Sequence, residues 1–181
     1  MKKIWLSSPH LGGREQHFVD LAFQENWIAP LGPNVNSFEI EVEKKTGGAF
    51  AAALSSGTGA MHIALDLLDA GPGDFVLVQS FTFCASANPV KYLGATPVFI
   101  DSERDTWNMC PESLAQALAD FDSKGQLDKV KAIVPVHLYG MPAKIVEIAE
   151  VAARYNVPVV EDAAESLGSS LNGKHTIRCS G

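Results

Sequence analysis

The chain has 181 residues, enough for one domain with a real core, and its hydrophobic fraction of 46% is that of a soluble globular protein. A net charge of −7 argues against a nucleic-acid surface. No apolar run approaches the roughly 18 residues of a membrane span, and the basic start, Met1 to Pro9, lacks the long apolar stretch of a signal peptide. Cys84, Cys110 and Cys179 form no close pair, and the five histidines are scattered without an HExxH pattern. The expectation is therefore a cytoplasmic protein with reduced thiols and no metal site.

In chain order, a polar helical pattern covers Gly13–Gln24, a loop follows at Asn26–Pro33, and a second helix is predicted to start near Val35. Residues 1–48 read as an arm outside the main body. Five short apolar runs then read as strands covered on both faces: Ala49–Leu54, Phe75–Val78, Pro97–Ile100, Ala132–Val136 and Val157–Val160. Helical patterns lie between them. Met61, Ala64, Leu65 and Leu68 share one stripe, as do Leu114, Leu118 and Phe121 behind a Pro111-Glu112 start, and Ile145, Ile148, Ala149 and Ala152. Asp122–Asp128 reads as a surface loop. Strands alternating with helices predict an α/β fold, a mostly parallel sheet with helices on both faces.

Four segments at predicted strand ends carry chemistry, and strand ends are where open α/β sheets bind ligands. Ser56-Gly57-Thr58-Gly59 opens a helix, and small residues with free N–H groups suit a phosphate. A capped helix packed tightly on its strand would use the same residues. Phe83 could stack on a flat ring or simply fill the core. Asp162 follows an apolar run, and a carboxylate there is costly unless a positive group meets it. The protonated nitrogen of a pyridine cofactor is such a group, which points to pyridoxal 5'-phosphate (PLP). Glu165, three residues on, shares its side in a helical turn. Two acids favoured by a helix amino end would look alike. His137 could line the same pocket or be a packed histidine.

With those residues in place, the chain resembles the DegT/DnrJ/EryC1/StrS sugar aminotransferases, a branch of the fold-type I PLP enzymes. The matching segments are Trp27–Gly32, Phe38-Glu39, Ser56–Ala60, Ser80–Phe83, Pro97–Asp101, Val136–Gly140 and Glu161–Gly168. The resemblance implies that Gly57, Thr58 and Gly59 hold the cofactor phosphate. It implies that Phe83 stacks on the ring, Asp162 pairs with the ring nitrogen and Glu165 lies near the ring hydroxyl. Trp27, Ile28 and His137 would lie on the substrate side. It also implies a homodimer that uses glutamate to aminate a nucleotide-linked keto-sugar, as in bacillosamine-type protein glycosylation. The family's Schiff-base lysine comes later than Lys174, which follows Asn172-Gly173 in what should be a surface turn. Residues 49–174 therefore read as a PLP-binding large domain cut short before that lysine and the small domain, with 175–181 an atypical tail. The alternative expectation is a catalytically inactive, truncated or pseudo-enzyme chain serving as a dimerisation module.

Overall fold

The computed structural model describes residues 3–5 and 8–176. Three parallel strands, β1 (Phe75–Gln79), β2 (Thr96–Ile100) and β3 (Val130–Val134), form a sheet in the order β2-β1-β3. The place of the fifth predicted strand, Val157–Val160, is filled by residues 158–162 alongside β3. Ile133 N donates to Pro158 O, Val160 N to Ile133 O, Asp162 N to Pro135 O and His137 N to Asp162 O. The ladder is broken at Pro135, which has no N–H to give.

Alternation along the strands sorts the core into two layers. Leu77 and Ile133 face α5 (Pro111–Ser123) and α6 (Ile145–Tyr155), meeting Leu114, Leu118, Ile145, Ile148, Val151 and Ala152. Val76, Val78, Ala132 and Val134 face the other way, onto Met61 and Leu65 of α3 (Gly57–Asp66) and Val90 of the short α4 (Asn88–Tyr92). Each fully buried Leu or Ile in these layers contributes about 2 kcal/mol. The helix ends follow local chemistry. Ser56 caps α3, Pro111 opens α5 at its first turn, and Asn156 closes α6 in the left-handed region at φ 53. The predicted stripes hold, with Val151 replacing Ala149 in the buried set of α6. α5 runs two residues, Asp122 and Ser123, into the predicted 122–128 loop.

The arm forms α1 (Glu15–Gln24) and α2 (Pro33–Lys45), as predicted, but neither helix contains a buried residue. Between them, Gly32 sits at φ 142, and a Cβ there would lie 2.8 Å from the Trp27 ring. Only glycine lets the chain turn that closely under the indole.

One predicted strand fails. Residues 49–54 run without any strand beside them among the described residues. Their N–H groups turn instead to α2: Ala51 N donates to Glu43 (3.1 Å) and Ala53 N to Glu39 (2.7 Å). Phe50 is fully exposed. The apolar run marks a segment suited to burial, but a strand also needs a neighbour to take its hydrogen bonds.

Past residue 162, a short hairpin pairs β4 (Ser170–Leu171) with β5 (Lys174–His175) across the Asn172-Gly173 turn. Both turn residues have positive φ, the conformation Asn-Gly favours between paired strands. The turn expected from the sequence is there. Residues 177–181 of the predicted tail lie outside the described residues.

Candidate cofactor site

Parallel strands end on the same side, so the segments after β1, after β3 and after residues 158–162 gather at one edge of the sheet. Between them lies a pocket of ≈ 390 Å³ lined by Phe81, Thr82, Phe83, Val136, Leu138, Tyr139, Asp162, Ala164 and Glu165. Its volume lies in the range of small-molecule sites.

Two buried amides, neither singled out from the sequence, hold these segments in register. Gln79 ends β1 with no exposure. Its Nε2 donates to Phe81 O and Asn108 Oδ1, and its Oε1 accepts from Met109 N and Val136 N. Asn108, also fully buried, accepts from Leu138 N and donates to Met141 O. Gln79 thereby uses both donors and both lone pairs, which makes the pair rigid rather than costly. The one available signal was a polar amide closing the apolar run Phe75–Val78.

Asp162 faces the pocket half-buried. Its Oδ2 accepts from the Ser86 hydroxyl at 2.6 Å and its Oδ1 from Ala164 N at 3.2 Å. Among the described residues, no Lys, Arg or His pairs with Asp162, and none lines the pocket. Glu165 spends Oε2 on Tyr139 N at 2.6 Å. That bond ties down a sharp turn in which Tyr139 lies at φ 53 and Gly140 at φ 80. A Cβ on Gly140 would approach Glu165 O to 3.1 Å, so this turn closes only over glycine. Phe83 is 77% exposed at the pocket, a large aromatic face left to solvent.

Phe83, Asp162 and Glu165 thus meet in one pocket. Gly57, Thr58 and Gly59 do not line it. They open α3, which packs on the 84–86 turn directly after Phe83. There Gly59 N already donates to the Ser56 cap at 3.1 Å, which leaves Gly57 N, Thr58 N and the Thr58 hydroxyl for an anion. Trp27 and Ile28 are exposed on the arm and do not line the pocket. His137 corrects its expected substrate-side place. It has no exposure, Nδ1 accepts from Ala143 N (3.0 Å), and Nε2 lies 2.9 Å from Glu161 Oε2. The ring proton therefore sits on Nε2, directed at Glu161, and both nitrogens are used beneath the site rather than in it.

The loop after β2 is fastened separately. Glu103 is buried, yet it accepts from Asp105 N, Thr106 N, the Thr106 hydroxyl and Lys144 Nζ. Burial alone would push its carboxyl up, but these donors outweigh that and hold it down to about 2. Lys144 is raised, by Asp105 first and then Glu103. The pins join the loop after β2 to the 141–144 segment at the base of α6.

The pocket fits a pyridine cofactor on its own terms. Among the described residues it offers a carboxylate with neutral hydrogen-bond partners and no cation, an unpacked aromatic face, and a nearby helix amino end with free N–H groups. Three-layer α/β bodies with a strand-end pocket include the large domains of fold-type I aminotransferases, and the structures this chain resembles are of that type. The chain belongs to the DegT/DnrJ/EryC1/StrS aminotransferase family, whose model matches residues 9–179. It is 55% identical over 175 residues to EpsN of Bacillus subtilis strain 168, assigned as a pyridoxal phosphate-dependent aminotransferase, covering 97% of this chain and 45% of EpsN. It is 38% identical to the GDP-perosamine synthase of Escherichia coli O157:H7, covering 97% of this chain and 46% of that one. Among solved structures, the PLP-form of Spr1654 from Streptococcus pneumoniae, described as a sugar aminotransferase, superposes with a TM-score of 0.83. It is 28% identical, and the match covers 95% of this chain and 45% of Spr1654. The chain spans about half the length of the curated relatives it matches. No helix among the described residues is long and apolar enough to cross a membrane.

Proposed function

We propose that this chain is the cofactor-binding part of a PLP-dependent aminotransferase that moves an amino group from glutamate to the keto carbon of a nucleotide-linked sugar, in the cytoplasm and for glycan or protein glycosylation. The observation that carries the reading is the meeting of Phe83, Asp162 and Glu165 in one pocket that no cation lines among the described residues. Bound there, PLP would supply an electron sink for the carbon that bears the travelling amino group. Asp162 would accept the ring N–H and keep that nitrogen protonated. Phe83 would cover one ring face. Glu165 Oε1, without a partner among the described residues, would reach the hydroxyl edge. Gly57 and Thr58 would donate to the phosphate at the amino end of α3, where an anion gains from unpaired N–H groups. The similarity to a GDP-perosamine synthase supports a nucleotide-linked sugar as substrate. The exposed Phe18, Phe23, Leu31 and Phe38 of the arm support a homodimer in which the arm, with Trp27 and Ile28, is covered by a second copy.

The test is a titration of the purified chain with pyridoxamine 5'-phosphate (PMP), the amino form of the cofactor, which needs no lysine tether. Saturable binding that Asp162→Asn weakens by at least about tenfold is expected, the loss of one charge-assisted bond. Equal binding by both would exclude Asp162 as the ring partner. Transfer from glutamate to nucleotide-linked keto-sugars, followed by mass spectrometry, tests the substrate class.

A further inference from the structure

Ser86 has no exposure and lies 76 residues from Asp162 in sequence, yet its Oγ sits 2.6 Å from Asp162 Oδ2. The same Oγ lies 2.8 Å from Thr82 Oγ1. A hydroxyl has one proton to give, and an ionised carboxylate has none. The Ser86 proton therefore goes to Asp162, and the bond to Thr82 must run the other way, with Thr82 donating to Ser86. The chain has one direction: Thr82 to Ser86 to Asp162. Thr82 is itself a pocket residue, and with its proton committed inward its oxygen meets the pocket only as an acceptor. The second carboxylate oxygen is held by Ala164 N. Two donors from two different segments thus fix the plane of the Asp162 carboxylate, and Ser86 also locks the Phe83 loop to that plane.

We infer that Ser86 is a positioning residue for Asp162, and Thr82 its outer relay, together setting the carboxylate for the ring nitrogen of a pyridine cofactor; this rests on the PLP reading of the pocket. Removing Ser86 has two opposed effects. The carboxylate loses a donor and becomes the stronger acceptor, which would raise the protonation of a bound ring. It also keeps only Ala164 N to fix its plane, so the carboxylate can swing away from the ring nitrogen. At 2.6 Å, with the donor Ser86 fully buried, loss of orientation is the larger effect.

The experiment binds ring-15N-labelled PMP to the chain and follows the nitrogen signal against pH, with PMP affinity and thermal unfolding measured in parallel. In wild type the ring stays protonated to higher pH than in free PMP. Ser86→Ala is expected to bind PMP about tenfold more weakly and to lower the protonation midpoint by about one pH unit. Ser86→Thr, which keeps the hydroxyl, restores the midpoint. Thr82→Val, which keeps the fold even if Ser86→Ala does not, shifts the midpoint the same way by less. A midpoint that rises or stays put in Ser86→Ala, or in Thr82→Val where Ser86→Ala is unfolded, overturns the inference and leaves the pocket reading intact. A wild-type ring signal indistinguishable from that of Asp162→Asn overturns the pocket reading, and the inference with it.

Discussion

The sheet body and the N-terminal arm start from similar sequence signals and end in different states. Both contain amphipathic helices and apolar runs. In the body, α3, α5 and α6 lay Met61, Leu65, Leu114, Leu118, Ile145 and Ile148 onto β1 and β3, all buried. In the arm, α1 and α2 bury nothing, and the 49–54 run that follows it satisfies two of its N–H groups with glutamates of α2 instead of a strand. A pattern states what a segment is able to bury. It does not state what will cover it, and only the body carries its own cover among the described residues.

The contrast is broken most directly by truncating side chains in each region. Leu77→Ala or Leu118→Ala removes a fully buried side chain and should cost about 3–4 kcal/mol. Phe23→Ala or Phe50→Ala, at positions exposed in the single chain, should change the stability of the monomer by less than about 0.5 kcal/mol. Urea unfolding measures both. Equal losses would mean that the arm is packed in solution.

Next in size is the amide pair. Asn108→Ala strands Leu138 N, Met141 O and one Gln79 donor in a buried place, at a cost of about 2–3 kcal/mol. Because those partners shape the pocket wall, PMP affinity should fall with stability. A stability loss with full PMP affinity would show the amides to be scaffold alone.

Glu103 gives a pH-dependent version of the same contrast, since its pins lie wholly in the body. Its carboxyl is held down to about 2 in the fold, against 4.5 ordinarily. A depressed acid stabilises the fold above its unfolded value and loses that contribution as pH falls toward the folded one. Between about pH 4.5 and 2 the wild type should therefore lose on the order of 2 kcal/mol that Glu103→Gln never had. Parallel acid-unfolding curves for the two proteins would remove Glu103 as a fastening of the loop after β2.

These cases show which parts were legible beforehand. The body was readable because its strands are apolar on both faces and its helices carry regular stripes, so period and burial agree. The meeting of Phe83, Asp162 and Glu165 in one pocket was readable because all three stand where strands end. His137 was misplaced because a histidine at a strand end looks the same whether it faces a ligand or a buried partner such as Glu161. Gln79, Asn108 and Ser86 were silent because their role lies in partners 29 to 76 residues away, and no local pattern encodes such a meeting. The 49–54 strand was overcalled because an apolar run identifies a segment, whereas a strand is a relation between two.

The smallest effect is the most discriminating for that relation. Glu39 and Glu43 stand four apart on α2, one helical turn, while Ala51 and Ala53 stand two apart on an extended chain. Both spacings are close to 6 Å along their axes, so two carboxylates match two N–H groups. Glu39→Ala leaves Ala53 N to water at little global cost, about 0.5 kcal/mol, because that group is exposed. Its amide should nevertheless exchange with solvent several-fold faster, while Leu77 and Ile133, buried in the sheet, keep their rates. Hydrogen exchange read residue by residue decides it. Acceleration at Ala53 alone makes the arm and its extended segment a local unit that opens without the sheet. Equal acceleration at Leu77 would mean that the two regions open together, and that the carboxylate contacts join the arm to the core.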